Sequence, residues 1–248
     1  MQPDQRVLIL TPVKNAARHL EGYLRRVSAL DYPASLLSIG LLEGDSQDDT
    51  WRVLENSLPA LQAHYRRAGA WKRDFGFRIP PGLARWSPNI QLMRRSILAR
   101  SRNHLLFRAL HDEDWVLWLD VDVIEYPSDI IQRLLTAGRN ILQPHCVLDY
   151  GGKTFDENAW REHGKLFMDR MRGGDNLVPL DAVGGTMLWI NADLHRDGLV
   201  FPSFLYGRAS AAAREQGELE TEGLGIMAKD MGHQCWGMPN LEIRHARE

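Results

Sequence analysis

Two aspartates close an apolar run in this chain, where Val116-Leu117-Trp118-Leu119 leads into Asp120-Val121-Asp122. Carboxylates placed side by side repel unless a cation or a proton lies between them. A hard divalent cation takes oxygen ligands and shares its remaining positions with a substrate diphosphate. It also neutralises the charge that grows on a diphosphate as it leaves. If the run is a strand of an open parallel sheet, its carboxyl end is where such sheets bind ligands. Two residues apart on an extended chain, the two side chains are expected on one side of the sheet. The reading is metal binding by Asp120 and Asp122, with a structural turn as the alternative. Spacing alone does not decide, because Asp112-Glu113-Asp114 repeats it. That copy follows no apolar strand and reads as solvated surface.

Further groups could serve a nucleotide. The first apolar run, Val7-Leu8-Ile9-Leu10, ends at Thr11-Pro12-Val13-Lys14-Asn15, and the run 36–42 ends at Glu43-Gly44-Asp45-Ser46. Both turns are expected on the edge that carries the aspartate pair. Asp45 could accept from ribose hydroxyls or from the two N–H donors of guanine, or it could cap the next helix; Asp48 and Asp49 read as caps. Arg94, Arg95, Arg100 and Arg102 crowd one segment, and Arg95 and Arg102, seven apart, share a helix face. Guanidinium forks suit phosphate oxygens; a solvated basic face is the alternative.

On the other side, Gly184-Gly185 interrupts an apolar run, which suits close approach of backbone to a ligand. Asp181 precedes it, and Glu220 and Glu222 stand ahead of a helical stretch. These are candidates to engage an acceptor, although Glu222 also reads as a first-turn helix charge. Trp118 and Trp189 fall within strands and read as core. Trp160, in a long polar stretch, is the candidate for stacking on a sugar.

The elements that must position these groups follow from periodicity. Apolar strands over 7–10, 36–42 and 116–119 alternate with amphipathic helices, one through Leu20, Leu24 and Val27, another through Val53, Leu54, Leu58 and Leu61. Residues 90–110 read as helix, Pro127 as the opening of another, and Ile141-Leu142 and Met187-Leu188-Trp189-Ile190 as later strands. Residues 222–231 read as a last helix. The alternation predicts an α/β protein with a mostly parallel sheet covered on both faces. Residues 64–89 resist assignment, and 149–179 form a loop long enough to suggest function.

Bulk properties bound the rest. A chain of 248 residues can bury a substantial core, and 44% hydrophobic with 25% charged residues is ordinary for a globular protein. The net charge of -2 gives no general attraction to nucleic acid. The two cysteines, Cys146 and Cys235, read as buried thiols. No stretch approaches the roughly 20 apolar residues that span a bilayer, and the first residues lack a signal-peptide core. The expectation is a soluble, cytoplasmic chain unless an N-terminal anchor precedes it.

Taken in order, these segments resemble one family. The first are Thr11-Pro12-Val13-Lys14-Asn15, Gly44-Asp45-Ser46 with Asp48-Asp49-Thr50, Trp71-Lys72-Arg73-Asp74-Phe75-Gly76 and Ala99-Arg100-Ser101-Arg102-Asn103. Then come the run from Trp115 through Asp120 and Asp122 to Pro127, Asp181-Ala182-Val183-Gly184-Gly185-Thr186, His195-Arg196-Asp197-Gly198 and Glu220-Thr221-Glu222-Gly223. From about residue 6 to 246 the chain resembles glycosyltransferase family 62, the fungal Golgi α-mannosyltransferases of the Anp1/Van1 type that build the mannan backbone.

The resemblance implies a GT-A fold, a Rossmann-like sheet flanked by helices, in one catalytic domain over 1–248. Its donor half would run to about residue 126 and its acceptor half over 127–248. It implies GDP-mannose as donor, Mn2+ (Mg2+ also suits), a glycan or glycoconjugate acceptor, retention of configuration, and assembly into homo- or hetero-oligomers. It adds His245 in the last strand to Asp120 and Asp122 as a metal ligand. A neutral imidazole must bind, so activity is expected to fall below about pH 6.5. The donor set is then Thr11, Pro12, Lys14, Asp45, Arg95, Arg102, Asp120 and Val121; the acceptor side holds Asp181, Glu220 and Glu222. The alanine-rich segment 207–217 departs from the family pattern, which bears on the acceptor. Two other readings are a non-catalytic scaffold subunit and a sugar nucleotidyltransferase; the first turn lacks the glycines the latter needs.

Overall fold

The computed structural model describes residues 4–80, 82–84 and 87–247. The chain opens with β1 (Val7–Val13), α1 (Ala17–Ser28), β2 (Leu37–Glu43), α2 (Thr50–His64), β3 (Arg67–Lys72) and α3 (Pro88–Ala109). It continues with β4 (Trp115–Leu119), β5 (Val123–Glu125), α4 (Ile130–Ala137) and β6 (Ile141–Val147). Two short strands, β7 (Trp160–Arg161) and β8 (Leu166–Phe167), make a separate hairpin. The last elements are β9 (Val178–Leu180), β10 (Met187–Asn191), α5 (Ala192–Arg196), α6 (Glu220–Asp230) and β11 (Cys235–His245).

The central sheet runs β3-β2-β1-β4-β10-β6-β11-β5, with β9 also paired to β11. From β3 to β4 every pairing is parallel. β10 then enters antiparallel between β4 and β6, and β11 lies parallel to β6. Successive residues of β1 serve opposite faces: Val7 and Ile9 pack with α1, α2 and α4, Leu8 and Leu10 with α3, α5 and α6. Both faces of β1, β2 and β4 are therefore buried, which is why these three strands read as mostly apolar runs.

Where the sequence reading and the structure differ, the cause is local. Residues 67–72 form β3, an edge strand whose side chains are half-buried or exposed, so its basic residues hide the pattern. The helix expected at Pro127 starts three residues later; the Pro127 carbonyl accepts the N–H of Ile130. The segment 149–179 carries the β7-β8 hairpin and a 3₁₀ turn rather than bare loop. Cys146 and Cys235 are free and buried, as expected. Among the described residues no helix is long and apolar enough to cross a membrane.

Candidate functional site

β4 ends at Leu119, and Asp120-Val121-Asp122 turns into β5. The aspartates are therefore not successive outward positions of one strand, as the extended geometry predicted. The Val123 N–H closes the turn on the Asp120 carbonyl at 3.2 Å, and the buried Val121 side chain roots it in the core. Two backbone bonds fix it from outside: the Asp120 N–H donates to Thr186 O at 2.9 Å, and the Ala246 N–H donates to Asp122 O at 2.8 Å. Antiparallel pairing of β5 with β11 places His245 opposite Val123. That register is what brings a nearly C-terminal histidine to Asp122, with Nε2 3.0 Å from Oδ1.

His245 is oriented from both ends. Nδ1 lies 2.7 Å from the Ala246 carbonyl, which can only accept, so the proton sits on Nδ1 and the Nε2 lone pair of the neutral ring faces Asp122. Phe155 stacks on the ring at 4.1 Å. Two acceptors facing each other at 3.0 Å call for a proton or a cation between them. Burial lowers the imidazole pKa, but the hydrogen bond and charge of Asp122 outweigh it and leave it raised. Asp120 is pushed up to about 6, first by desolvation and then by the charge of Asp122, with Arg102 opposing. Asp120 turns toward Arg102, so among the described residues no three acidic, histidine or cysteine side chains already stand gathered as ligands. The donor set of two carboxylates and one imidazole nevertheless suits a divalent ion such as Mn2+ or Zn2+.

Arg102 forms the floor. It is buried, its Nε donates to Glu220 Oε1 at 2.9 Å and its Nη2 donates to Asp120 Oδ1 at 3.2 Å. Burial works against its charge, yet Asp120 and Glu220 hold it more firmly ionised than usual. Glu220 itself holds a left-handed backbone (φ 57°) at the start of α6, a strained conformation for glutamate that its contacts to Arg102 and Thr221 help retain. Asn15 (φ 49°) and Asp45 (φ 59°), in the turns after β1 and β2, carry the same kind of strain.

A cavity of about 760 Å³ opens over this floor, lined by Asp120, Arg95, Arg102, Glu220, His245 and Asp156 among others. Asp156 escaped the sequence reading. Its Oδ2 accepts from the N–H and hydroxyl of Thr186 (3.1 and 2.9 Å) and from Gln143 (3.3 Å). A carboxylate in an irregular segment with no motif around it leaves no sequence signal. The glycine pair belongs to the same device. A Cβ on Gly184 would lie 2.0 Å from Asp156 Oδ2, and one on Gly185 would lie 2.3 Å from Arg102 Nη2. The glycines make room for the protein's own charged side chains, and Gly185 also lines the cavity.

The remaining predicted residues divide. Arg95 reaches the cavity while pairing with Glu222 at 2.6 Å. Thr11 is fully buried and its hydroxyl donates to Leu119 O at 2.8 Å, tying β1 to β4 instead of facing a ligand. Pro12 is a half-buried residue of β1. Lys14 donates to Phe77 O at 2.6 Å, and its burial lowers its pKa. The Asp45 carboxylate accepts the N–H groups of Phe75 (3.0 Å) and Gly76 (2.9 Å) and so shapes the turn after β3. Asp48 accepts from the N–H groups of Thr50 and Ala17, as a cap does. Asp181 lies elsewhere, bonded to Lys229 and to the N–H of Glu162. Glu222 is buried, accepting from Trp160 Nε1 at 2.6 Å, and burial raises its pKa. Neither lines the cavity beside Glu220. Trp160 has no exposed surface and cannot stack on a sugar. Glu113, expected in solvent, is buried and paired with Arg67.

The sequence profile of the Anp1 family matches residues 1–168. The chain belongs to the Anp1 family. It is 30% identical to the mannan polymerase II complex anp1 subunit of Schizosaccharomyces pombe over 99% of this chain and 65% of that protein. Its identity to the mannan polymerase complex subunit mnn9 of the same yeast is also 30%, over 98% of this chain and 81% of that subunit. The chain thus spans about two thirds of the anp1 subunit's length. Among solved structures, this Anp1-family chain is similar to the mannosyltransferase PcManGT of Pyrobaculum calidifontis in complex with GDP-Man and Mn2+. The TM-score is 0.58 at 14% identity, over 99% of this chain and 58% of that one. Staphylococcus aureus TarS in complex with UDP-GlcNAc gives 0.59 at 13% identity, over 98% and 59%. The fold is the GT-A α/β fold.

Proposed function

We propose that this Anp1-family chain transfers mannose from GDP-mannose to a sugar acceptor with retention, using a divalent cation. The observation that carries the reading is Asp122 and His245 meeting at 3.0 Å beside Asp120, at the carboxyl edge of β4 and over a buried arginine. A similar fold accommodates GDP-Man with Mn2+ in PcManGT. Asp120, Asp122 and His245 would hold the cation, which when bound offsets the charge of a departing diphosphate. Arg102, fixed by Glu220, holds Asp120 against the repulsion of Asp122. The turn that Asp45 and Lys14 brace, 73–77, would receive the nucleoside.

Asp156, on the cavity wall, is placed to accept a hydrogen bond from an acceptor hydroxyl. In a front-face transfer the bond from the sugar C1 to the phosphate oxygen breaks while C1 bonds to the acceptor oxygen on the same side. The acceptor proton passes to the departing phosphate, so no protein base is required. Turnover of GDP-mannose should stop in excess chelator and return with Mn2+. Asp122→Ala should lose at least about 100-fold in kcat with its fold intact. Full activity in chelator, or a near-normal Asp122→Ala enzyme, would remove the cation from the reaction.

A further inference from the structure

Helix α3 presents two different sides. Gln91, Arg95, Leu98 and Arg102 recur at helical spacing and line the cavity of the site. Met93, Arg100, His104 and Phe107 recur on another stripe, where Met93 and Phe107 are 61% and 69% exposed. Nothing in the transfer chemistry above uses this outer stripe.

Positive charge gathers there without a counterion. Arg73, just after β3, donates from Nη1 to His104 Nδ1 at 2.6 Å. Arg73 and Arg100 lie over the Phe75 ring, 5.2 and 5.4 Å from its centre. Arg108 follows one helical turn after His104 and acts on it electrostatically. Among the described residues none of these three guanidiniums pairs with a carboxylate, whereas Arg6, Arg66 and Arg67 are consumed by Asp112 and Glu113. Apolar side chains stand among the charges. Phe204 is 66% exposed, and the carbonyl of its neighbour Ser203 accepts the Ser96 hydroxyl at 2.7 Å, which brings Phe204 to the edge of the stripe.

The mixing of the two kinds of group selects the surface that fits. A two-fold contact with a second copy would set the arginines against themselves. A protein partner would want an apolar centre from which charge is depleted, but here Arg100 stands between Met93 and Phe107. Nucleic acid would take the arginines and leave the apolar groups in water. The headgroup layer of an anionic bilayer takes both at once: its phosphates meet the guanidiniums while single rings sink to the acyl boundary. From Met93 to Phe107 the stripe covers about 21 Å of helix, enough to lie along such a surface.

The geometry points to peripheral membrane binding: the outer stripe of α3, where Arg73, Arg100 and Arg108 stand without carboxylates among Met93, Phe107 and Phe204, rests on an anionic lipid surface and leaves the cavity on the helix's other side open. Such docking needs none of the transfer chemistry, so binding alone tests it, and it stands or falls separately from the transferase reading.

Vesicles of phosphatidylcholine mixed with phosphatidylglycerol should sediment the protein at low salt, and vesicles of phosphatidylcholine alone should not. Each arginine near such a surface is worth roughly fivefold in affinity, so Arg100→Ala combined with Arg108→Ala should bind about 25-fold more weakly. Arg108→Ala alone, at an exposed position in the last turn of α3, should lose about fivefold and decides the matter if the double variant does not fold. Phe107→Ala combined with Phe204→Ala should also weaken binding, by the share the rings supply. Arg52→Ala, exposed on α2 and already paired with Asp49, should bind like wild type. No sedimentation with the mixed vesicles, equal sedimentation with the neutral ones, or arginine variants that bind like wild type would each overturn the membrane face. So would retention of duplex DNA, but not of vesicles, by the same arginines.

Discussion

A methyl group on Gly184 or Gly185 would occupy space already held by Asp156 and Arg102, at 2.0 and 2.3 Å. Both side chains are hydrogen-bonded at the cavity floor, so neither can swing aside without losing its partners. Displacing such a group by about 1 Å costs on the order of 100-fold in rate, and the crowding costs about 1–3 kcal/mol of stability. Gly184→Ala and Gly185→Ala should each lose roughly that much kcat while still melting cooperatively. Gly174→Ala, whose new Cβ would meet nothing nearer than Met171 O at 3.5 Å, should match wild type. Unaltered kcat in both site variants would mean that Asp156 and Arg102 do not need their observed positions. The two glycines are visible in the sequence, but a small residue announces only that space is needed, never whose atoms fill it. Asp120 and Asp122 are legible because an apolar run delivers them to a sheet edge. Asp156 is not, because the contacts that give it meaning, Gln143 of β6 and Thr186 just before β10, lie 13 and 30 residues away along the chain.

α5 shows how a short helix is fastened by one uncharged histidine. His195 Nδ1 donates to Leu199 O at 2.6 Å, and Nε2 accepts from Trp118 Nε1 of β4 at 3.4 Å, an arrangement that only the neutral ring satisfies. Burial pushes its pKa down to about 4. The unfolded chain protonates near the ordinary value, so acid favours unfolding as pH falls from about 6.5 to about 4, and this group alone costs roughly 3 kcal/mol by the lower limit. Asp120, raised to about 6, acts with the opposite sign, because there the folded state takes up the proton first. His195→Gln isolates the effect, since an amide can make both bonds and does not titrate. Denaturant melts at pH 7 and pH 4.5 should show wild type losing stability relative to the variant; parallel profiles would mean that the imidazole is not buried neutral. Among the elements, β1, β2 and β4 are legible because burial on both faces leaves them mostly apolar, with Thr11, Ser38 and Glu43 as the polar exceptions. β3 and β11 are obscured for opposite reasons: one is an edge with basic side chains, the other is broken by Gly237, Pro239 and a register shift.

At the scale of the molecule, charge is sorted between the two ends of the sheet. Arg6, Arg66 and Arg67 are consumed at one end by Asp112 and Glu113. At the other end Arg95 and Arg102 face the cavity but are already matched by Glu222 and Glu220. Asp120, Asp156 and Glu157 add negative charge to the same walls, against Arg94 and Arg247. With a net charge of -2 the whole chain offers no compensating field. A free diphosphate therefore enters a cavity with little spare positive charge, and a divalent cation held there changes the sign of the local field. Binding of GDP and Mn2+ should for this reason be strongly cooperative, each raising the affinity of the other by the same factor. Ligand at about 100 times its dissociation constant stabilises a fold by about 2.7 kcal/mol, which for a chain of this size is a rise of roughly 5–10 °C in Tm. Scanning calorimetry should show a rise of that order with GDP and Mn2+ together, and one or two degrees with either alone. Full stabilisation by GDP in the presence of chelator would place the missing positive charge in the protein's own arginines.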